Sequence, residues 1–204
     1  MKSFALPFTV ADRIAVRHFR QSLPHAARRA FDVDLDNVLA SETEFAIDQA
    51  TQSHIVFAAS ALCVYRYRLR ENPSKEMAKE AIRRTITSYL KRTTAAMLWL
   101  SCVFSKDTFE TVRSYTKDKS GPAYGASFDI DYTEIDNGFV SIVKACGYRA
   151  FLARHGADEL IDVFCEWDKV WIDALPKSVA FRRPTTLAQG GKSCRFEFRK
   201  NGSR

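Results

Sequence analysis

The sequence predicts an α+β fold: a long N-terminal helical hairpin packed on a small C-terminal antiparallel sheet with two helices. Three observations carry this. Apolar residues recur at three- and four-residue spacing through most of the first hundred positions. Strict alternation then appears at Phe128, Ile130 and Tyr132, followed by Asp136-Asn137-Gly138, a strong hairpin turn. Alternation returns after Gly190-Gly191, from Ser193 to Arg199. No repeat or long linker interrupts the chain, so residues 1–204 are expected to form a single α+β domain. In it, 1–115 is mostly helical and 126–199 is the Cys-containing part.

Taken in order, Ile14, Ala15, Phe19 and Leu23 mark a first helix, broken or restarted at Pro24. The alternating carboxylates of Asp32 to Asp36 lack the glycine turn and distal Glu of a calcium loop, so this stretch is expected to be a polar connection. Ser41-Glu-Thr-Glu44 fits a capping box, which predicts a long helix from Phe45 toward Asn72. After Asn72-Pro73-Ser74 a second helix is expected from about Lys75 to about Phe104, giving an antiparallel hairpin. A short helix over Asp107 to Tyr115 and a loop from Lys117 to Gly125, punctuated by Ser120-Gly121-Pro122, follow. The C-terminal part then runs strand, strand, helix, helix, strand, strand. Its helices are Gly147 to Arg154 and Asp158 to about Ala174, with Asp158 as the expected N-cap.

Composition narrows the function classes. The chain is 46% hydrophobic and 27% charged, enough for a buried core and a soluble surface. Its longest apolar runs span ten residues, well short of the roughly 20 of a membrane helix. No signal peptide is visible in Met1 to Val10, and five cysteines, an odd number, suit a reducing compartment; the cytoplasm is the expected location. The net charge of +7 comes largely from Arg66 to Arg92. No nucleic-acid motif accompanies it, so it is taken as a solvated helix face that also favours an anionic or zwitterionic small substrate. The helical hairpin offers a surface for a homodimer. Neither nucleic acid nor membrane is an expected partner.

The chemistry-bearing residues gather near the C-terminus. Cys165 and Asp168 are three apart on a predicted helix and share a face. A carboxylate beside a thiol disfavours the thiolate, so Asp168 suits acid/base or orienting work rather than thiol activation. The alternative is a buried Cys165 and a surface Asp168. Cys146 closes a strand before a helix, where the helix N-terminus favours an anion; a core cysteine is the competing account. Cys194 opens the last strand and by itself suggests packing. Three thiolates with Asp168 would suit tetrahedral zinc, but the spacings are wide and Cys-x-x-Cys is missing. No cofactor is expected, and zinc is the alternative. His18, His25 and His54 fit surface or packing roles, and His155 a helix end. In Arg182-Arg183-Pro184-Thr185-Thr186, an Arg beside Thr hydroxyls suits a carboxylate. Phosphate-loop, nucleophile-elbow and His-Glu-x-x-His motifs are missing.

Several stretches together carry a resemblance. They are Val143-Lys-Ala-Cys146-Gly-Tyr148, Gly156-Ala-Asp-Glu-Leu160, Phe164-Cys165-Glu-Trp-Asp168, and the run from Phe181-Arg182-Arg183 through Gly190-Gly-Lys-Ser-Cys194-Arg-Phe196-Glu-Phe198. Their order and spacing resemble the L-2-amino-thiazoline-4-carboxylic acid hydrolase family, over about residues 126–199. One departure is Arg195, where that family usually has an acidic residue. The resemblance implies hydrolytic opening of a cyclic isothiourea to an N-carbamoyl-cysteine-type product. It implies Asp168 as acid/base and Cys165 as nucleophile or pocket wall, with Cys146 the alternative nucleophile. Arg183 would hold the substrate carboxylate, and Thr186, Cys194 and Glu134 would complete the substrate-binding set. Two other functions stay open: a non-catalytic small-molecule binding domain, as in vinyl-reductase-type sensors with a comparable Cys-ending strand, and a family member repurposed for biosynthesis.

Overall fold

In the computed structural model, which describes residues 7–89, 91–119 and 121–201, the helices are α1 (Val10–Gln21), α2 (Arg28–Ser41), α3 (Gln49–Glu71), α4 (Lys75–Ser88), α5 (Lys91–Val103), α6 (Thr108–Ser114), α7 (Gly121–Tyr124), α8 (Gly147–Arg154), α9 (Ile161–Cys165) and α10 (Trp167–Ile172). The strands are β1 (Asp129–Ile135), β2 (Gly138–Ala145), β3 (Val179–Thr185) and β4 (Cys194–Lys200), in one antiparallel sheet of order β1-β2-β4-β3. The fold is therefore α+β. Among the described residues no helix is long and apolar enough to cross a membrane. The chain divides into two compact units, Met1–Tyr89 with Gly147–Phe164 and Leu90–Cys146 with Cys165–Arg204.

The first unit is helical. Thr9 and Asp12 form a reciprocal capping box that starts α1. Asp48 and Ser74 accept backbone N–H groups at the starts of α3 and α4, so the two make the expected hairpin around Asn72-Pro73-Ser74. The core centres on Phe57, whose ring meets Phe19, Tyr89, Phe164 and Tyr148. Carboxylates meet much of the basic run: Arg70 pairs with Asp34, Lys75 with Glu159, and Lys79 with Asp162.

Three local expectations fail here. Asp32 to Asp36 is not a connection but lies inside α2. Asp32 bonds Arg20 through both oxygens and Asp34 bonds Arg70, which offsets the poor helix propensity of aspartate. Ser41 does not cap α3; it ends α2, its hydroxyl donating back to the Val38 carbonyl. The expected helix from Lys75 to Phe104 is two helices. Tyr89 leaves α4 in extended conformation (φ −64°, ψ 118°), packing its ring on His18 and Phe57. Leu90 and Ser120, inside predicted elements, lie outside the described residues, as does Met1–Leu6 of the N-terminal segment.

A buried ion cluster ties Glu42 to α8. Glu42 is 2% exposed and receives bonds from the Arg154 guanidinium and from the His155 ring at 3.0 Å. Burial pushes its carboxyl up, but the bonds from His155 and Arg154 prevail and hold it below its ordinary value. A carboxyl depressed in the folded state contributes stability above its unfolded value, near 4.5, that is lost as pH falls through the folded one. Urea titrations across pH 2–6 are thus expected to show an acid limb of stability that Glu42→Gln flattens. A limb of equal steepness in that variant would refute the assignment.

The second unit holds the sheet. Phe139, Phe196 and Phe198 project to one face, where Leu98 and Cys102 of α5 and Phe109 and Val112 of α6 cover them. Phe139 and Phe198, cross-strand partners, stack at 4.6 Å and 10°. The Asp136-Asn137-Gly138 turn forms as expected, with Asn137 at φ 54°. A Cβ on Gly138 would meet the Phe198 carbonyl oxygen at 2.1 Å, so only glycine fits this close approach. Within the expected Lys117 to Gly125 loop the described residues are largely helical: a π-helical turn (Tyr115–Lys119) ends there, and Gly121–Tyr124 forms α7. The expected helix from Asp158 to Ala174 is interrupted. A 3-10 turn (Asp158–Leu160) precedes α9, with Ala157 and not Asp158 at its N-cap position and no side-chain cap bond there, and Glu166 separates α9 from α10.

Candidate active site

The site is assembled at one end of the sheet in the second unit. Residues Cys194, Phe196 and Phe198 are buried and alternate with Arg195, Glu197 and Arg199. Period two therefore puts Cys194 on the core face. Arg195, the departure from the family's usual acid, lies on the other face and pairs with Glu197 at 2.6 Å. Arg195 is therefore not directed at Cys194 Sγ.

A β-bulge aims the key cation. Arg182 pairs with Glu197 and Thr185 with Arg195, so Arg183 and Pro184 together oppose Phe196. Proline, which has no N–H to place in a ladder, suits such an irregularity. The bulge turns Arg183 over the Phe196 ring, Cζ 4.6 Å from its centroid. From there Nη1 reaches the Asp168 carboxylate at 3.1 Å and the Cys165 carbonyl at 3.2 Å, and Nη2 lies 3.8 Å from Cys194 Sγ. Its Nε is buried without a partner, so the protein does not fully satisfy this guanidinium.

Asp168 sits in the first turn of α10, its side chain 23% exposed. Trp171 Nε1–H donates to its other oxygen at 3.4 Å, and the indole packs on Phe181, Phe196 and Phe198. Burial pushes the Asp168 carboxyl up to about 6, against the opposing pull of Arg183 and Trp171. Burial likewise raises the Cys165 thiol to about 11, with Arg183 opposing and Asp168 reinforcing. Cys63 and Cys102, buried in the two cores, are also pushed up by desolvation.

The loop after β3 supplies a further donor. Thr186 caps a 3-10 turn (Leu187–Gln189), its hydroxyl held by Gln189 and its carbonyl accepting from Gly191. Gly190 takes the left-handed conformation that closes the turn. The Leu187 N–H is thereby directed at Cys194 Sγ, 3.2 Å away.

The structure therefore brings Cys165, Asp168, Arg183 and Cys194 together. Cys146 follows β2 directly and packs half-buried against the same core cluster as Cys194. The hydroxyl of Thr186 is spent inside its own loop. Glu134 is not brought to this group. It lies on β1, two strands from β4 in the sheet order, at the level of Phe139 and Phe198, and pairs with Arg113 at 2.5 Å. One residue escaped the sequence reading: Tyr124 of α7 lies in the field of Asp168 and Cys146, its phenol pushed up chiefly by burial. Its segment looked like a loop, and only an isolated aromatic marked it. Among the described residues no group of three or more His, Cys, Asp or Glu side chains is placed to hold a metal ion.

Fold and site define an α+β protein that holds thiols, a half-buried carboxyl and a guanidinium at one sheet end. A family model, L-2-amino-thiazoline-4-carboxylic acid hydrolase, matches residues 52–198, and the chain belongs to that family. No curated protein and no solved structure matches it.

Proposed function

We propose that the protein is a hydrolase that opens a small carboxylate-bearing cyclic isothiourea or a related amidine heterocycle. The observation that supports this best is the contact of the Asp168 carboxyl with Arg183, at a place where burial pushes that carboxyl up to about 6. The carbon between nitrogen and sulfur in such a ring becomes electrophilic when the ring nitrogen is protonated. A carboxyl that keeps its proton up to about pH 6 can supply that proton. Arg183 couples binding to this step. A substrate carboxylate bonding its guanidinium takes over as counter-ion, and Asp168, relieved of that pairing, retains its proton for the ring. The attacking group is a cysteine sulfur or water.

The family is named for a thiazoline-carboxylate hydrolase, so L-2-amino-thiazoline-4-carboxylate is the first substrate to offer. Time-resolved NMR is expected to show loss of the ring and appearance of a ureido thiol, with activity falling above about pH 6 as Asp168 ionises. An unchanged ring after prolonged incubation with this and other cyclic isothioureas would reject the proposal and favour a binding module. No cofactor or metal enters this scheme, and the expected location is the cytoplasm.

A further inference from the structure

We infer that Cys194, rather than Cys165 or Cys146, is the sulfur that attacks the substrate. The inference rests on the proposed ring-opening reaction and deepens it. Two N–H groups from different elements converge on Cys194 Sγ: the Leu187 amide at 3.2 Å and Arg183 Nη2 at 3.8 Å. Each is placed by a specific local device. The first depends on the Thr186-capped turn closed at Gly190, and the second on the bulge at Arg183-Pro184. Sulfur is a weak acceptor, and a core cysteine needs no such partners. Donors aimed at sulfur would support negative charge as the sulfur attacks and again as it leaves.

Cys165 is less suited to attack. Arg183 meets its side chain as well as its carbonyl, 3.2 Å from Nη1, yet burial outweighs that cation and keeps its thiol protonated far above neutral pH. Arg183 also ties the two halves of the chemistry together, touching the proton donor Asp168 and the sulfur of Cys194 through the two nitrogens of one fork.

The steps balance. Asp168 gives its proton to the ring nitrogen, and Sγ bonds to the amidine carbon. The bond from that carbon to the ring sulfur breaks, and the ring sulfur leaves as a thiol with the proton lost by Cys194. An S-linked isothiouronium now joins substrate and Cys194. Water adds to the same carbon, giving one proton to Asp168. The bond to Sγ then breaks, Sγ takes the second proton, and a ureido thiol departs.

Acid-quenched single turnovers with L-2-amino-thiazoline-4-carboxylate, followed by peptide mass spectrometry, test the assignment. The adduct is expected on the peptide containing Cys194. In Cys194→Ser turnover is expected to fall at least 100-fold with no adduct elsewhere. An adduct on Cys165 or Cys146, or full turnover in Cys194→Ser, would overturn the inference. Alkylation by iodoacetamide gives a substrate-independent readout. Cys194 is 5% exposed, so its rate is compared with itself and not with the more open Cys165 and Cys146. Leu187→Pro, which deletes one donor, is expected to slow alkylation of Cys194. An unchanged or faster rate in that variant would also overturn the inference. If no ring opens at all, the proposed reaction fails, and this comparison still decides whether Cys194 is the activated sulfur.

Discussion

Replacing Asp168 with asparagine is expected to lower kcat/KM by about 10³–10⁴-fold, the upper end of what a positioned proton donor contributes, without loss of stability at pH 7.5. The two halves of this expectation have one cause. Burial raises the carboxyl to about 6 in the folded state, from an ordinary value of 3.8. Between these values the folded chain binds more protons than the unfolded one, so stability falls as pH rises. The penalty is complete above about pH 6 and is on the order of 1–3 kcal/mol. Asparagine removes the charge that incurs it and keeps an oxygen to accept from Arg183. Chemical denaturation at pH 7.5 should therefore give a midpoint equal to or above that of the parent. Near-parental turnover in a folded Asp168→Asn protein would remove the carboxyl from the reaction. A marked loss of stability would show that the ion pair with Arg183 outweighs desolvation.

That result would test the part of the site most visible in the sequence. Cys165 and Asp168 were identifiable from their spacing and Arg183 from its threonine neighbours, whereas Cys194 by itself read as packing and entered the site only through the family resemblance. What spacing could not give was their mutual geometry. The i, i+3 relation of Cys165 and Asp168 assumed one helix, yet Glu166 separates α9 from α10. The convergence of Arg183 on its three partners depends on a bulge at Pro184, and the donor to Cys194 is a backbone N–H that no residue type announces. Glu134 shows the opposite error. Alternation placed it on a strand, but strand order, a long-range property, put β2 between it and the cysteine strand.

The same contrast holds for the fold. The four strands and the Asn137-Gly138 turn were legible because alternation and turn chemistry are local. The helix boundaries were less so. Tyr89 ends α4 to reach a ring cluster assembled from distant parts of the first unit, and Asp32 is tolerated inside α2 because Arg20 meets it. Propensity is a weak prior wherever a tertiary partner is available to override it.

Phe198→Ala is expected to produce the largest loss of stability of any single substitution considered for the second unit, about 3–5 kcal/mol. Phe198 is fully buried and stacks on Phe139; Phe181 and Trp171 pack on it at 5.2 and 6.0 Å. Truncation leaves a cavity under all three rings that a hydrogen-bonded central strand cannot collapse to fill. The consequence extends to the chemistry, because Trp171 carries the indole N–H that bonds Asp168. With Phe198 gone and Phe196 and Phe181 left to support it, the indole holds that carboxyl less firmly in one orientation. Turnover measured at low temperature, where the variant stays folded, should fall by about tenfold or more, since misplacement by an ångström is costly in catalysis. Phe198→Leu, which retains most of the volume, should recover much of the stability and part of the turnover. Loss of stability with parental turnover in the folded Phe198→Ala variant would show instead that Asp168 is positioned by Arg183 alone.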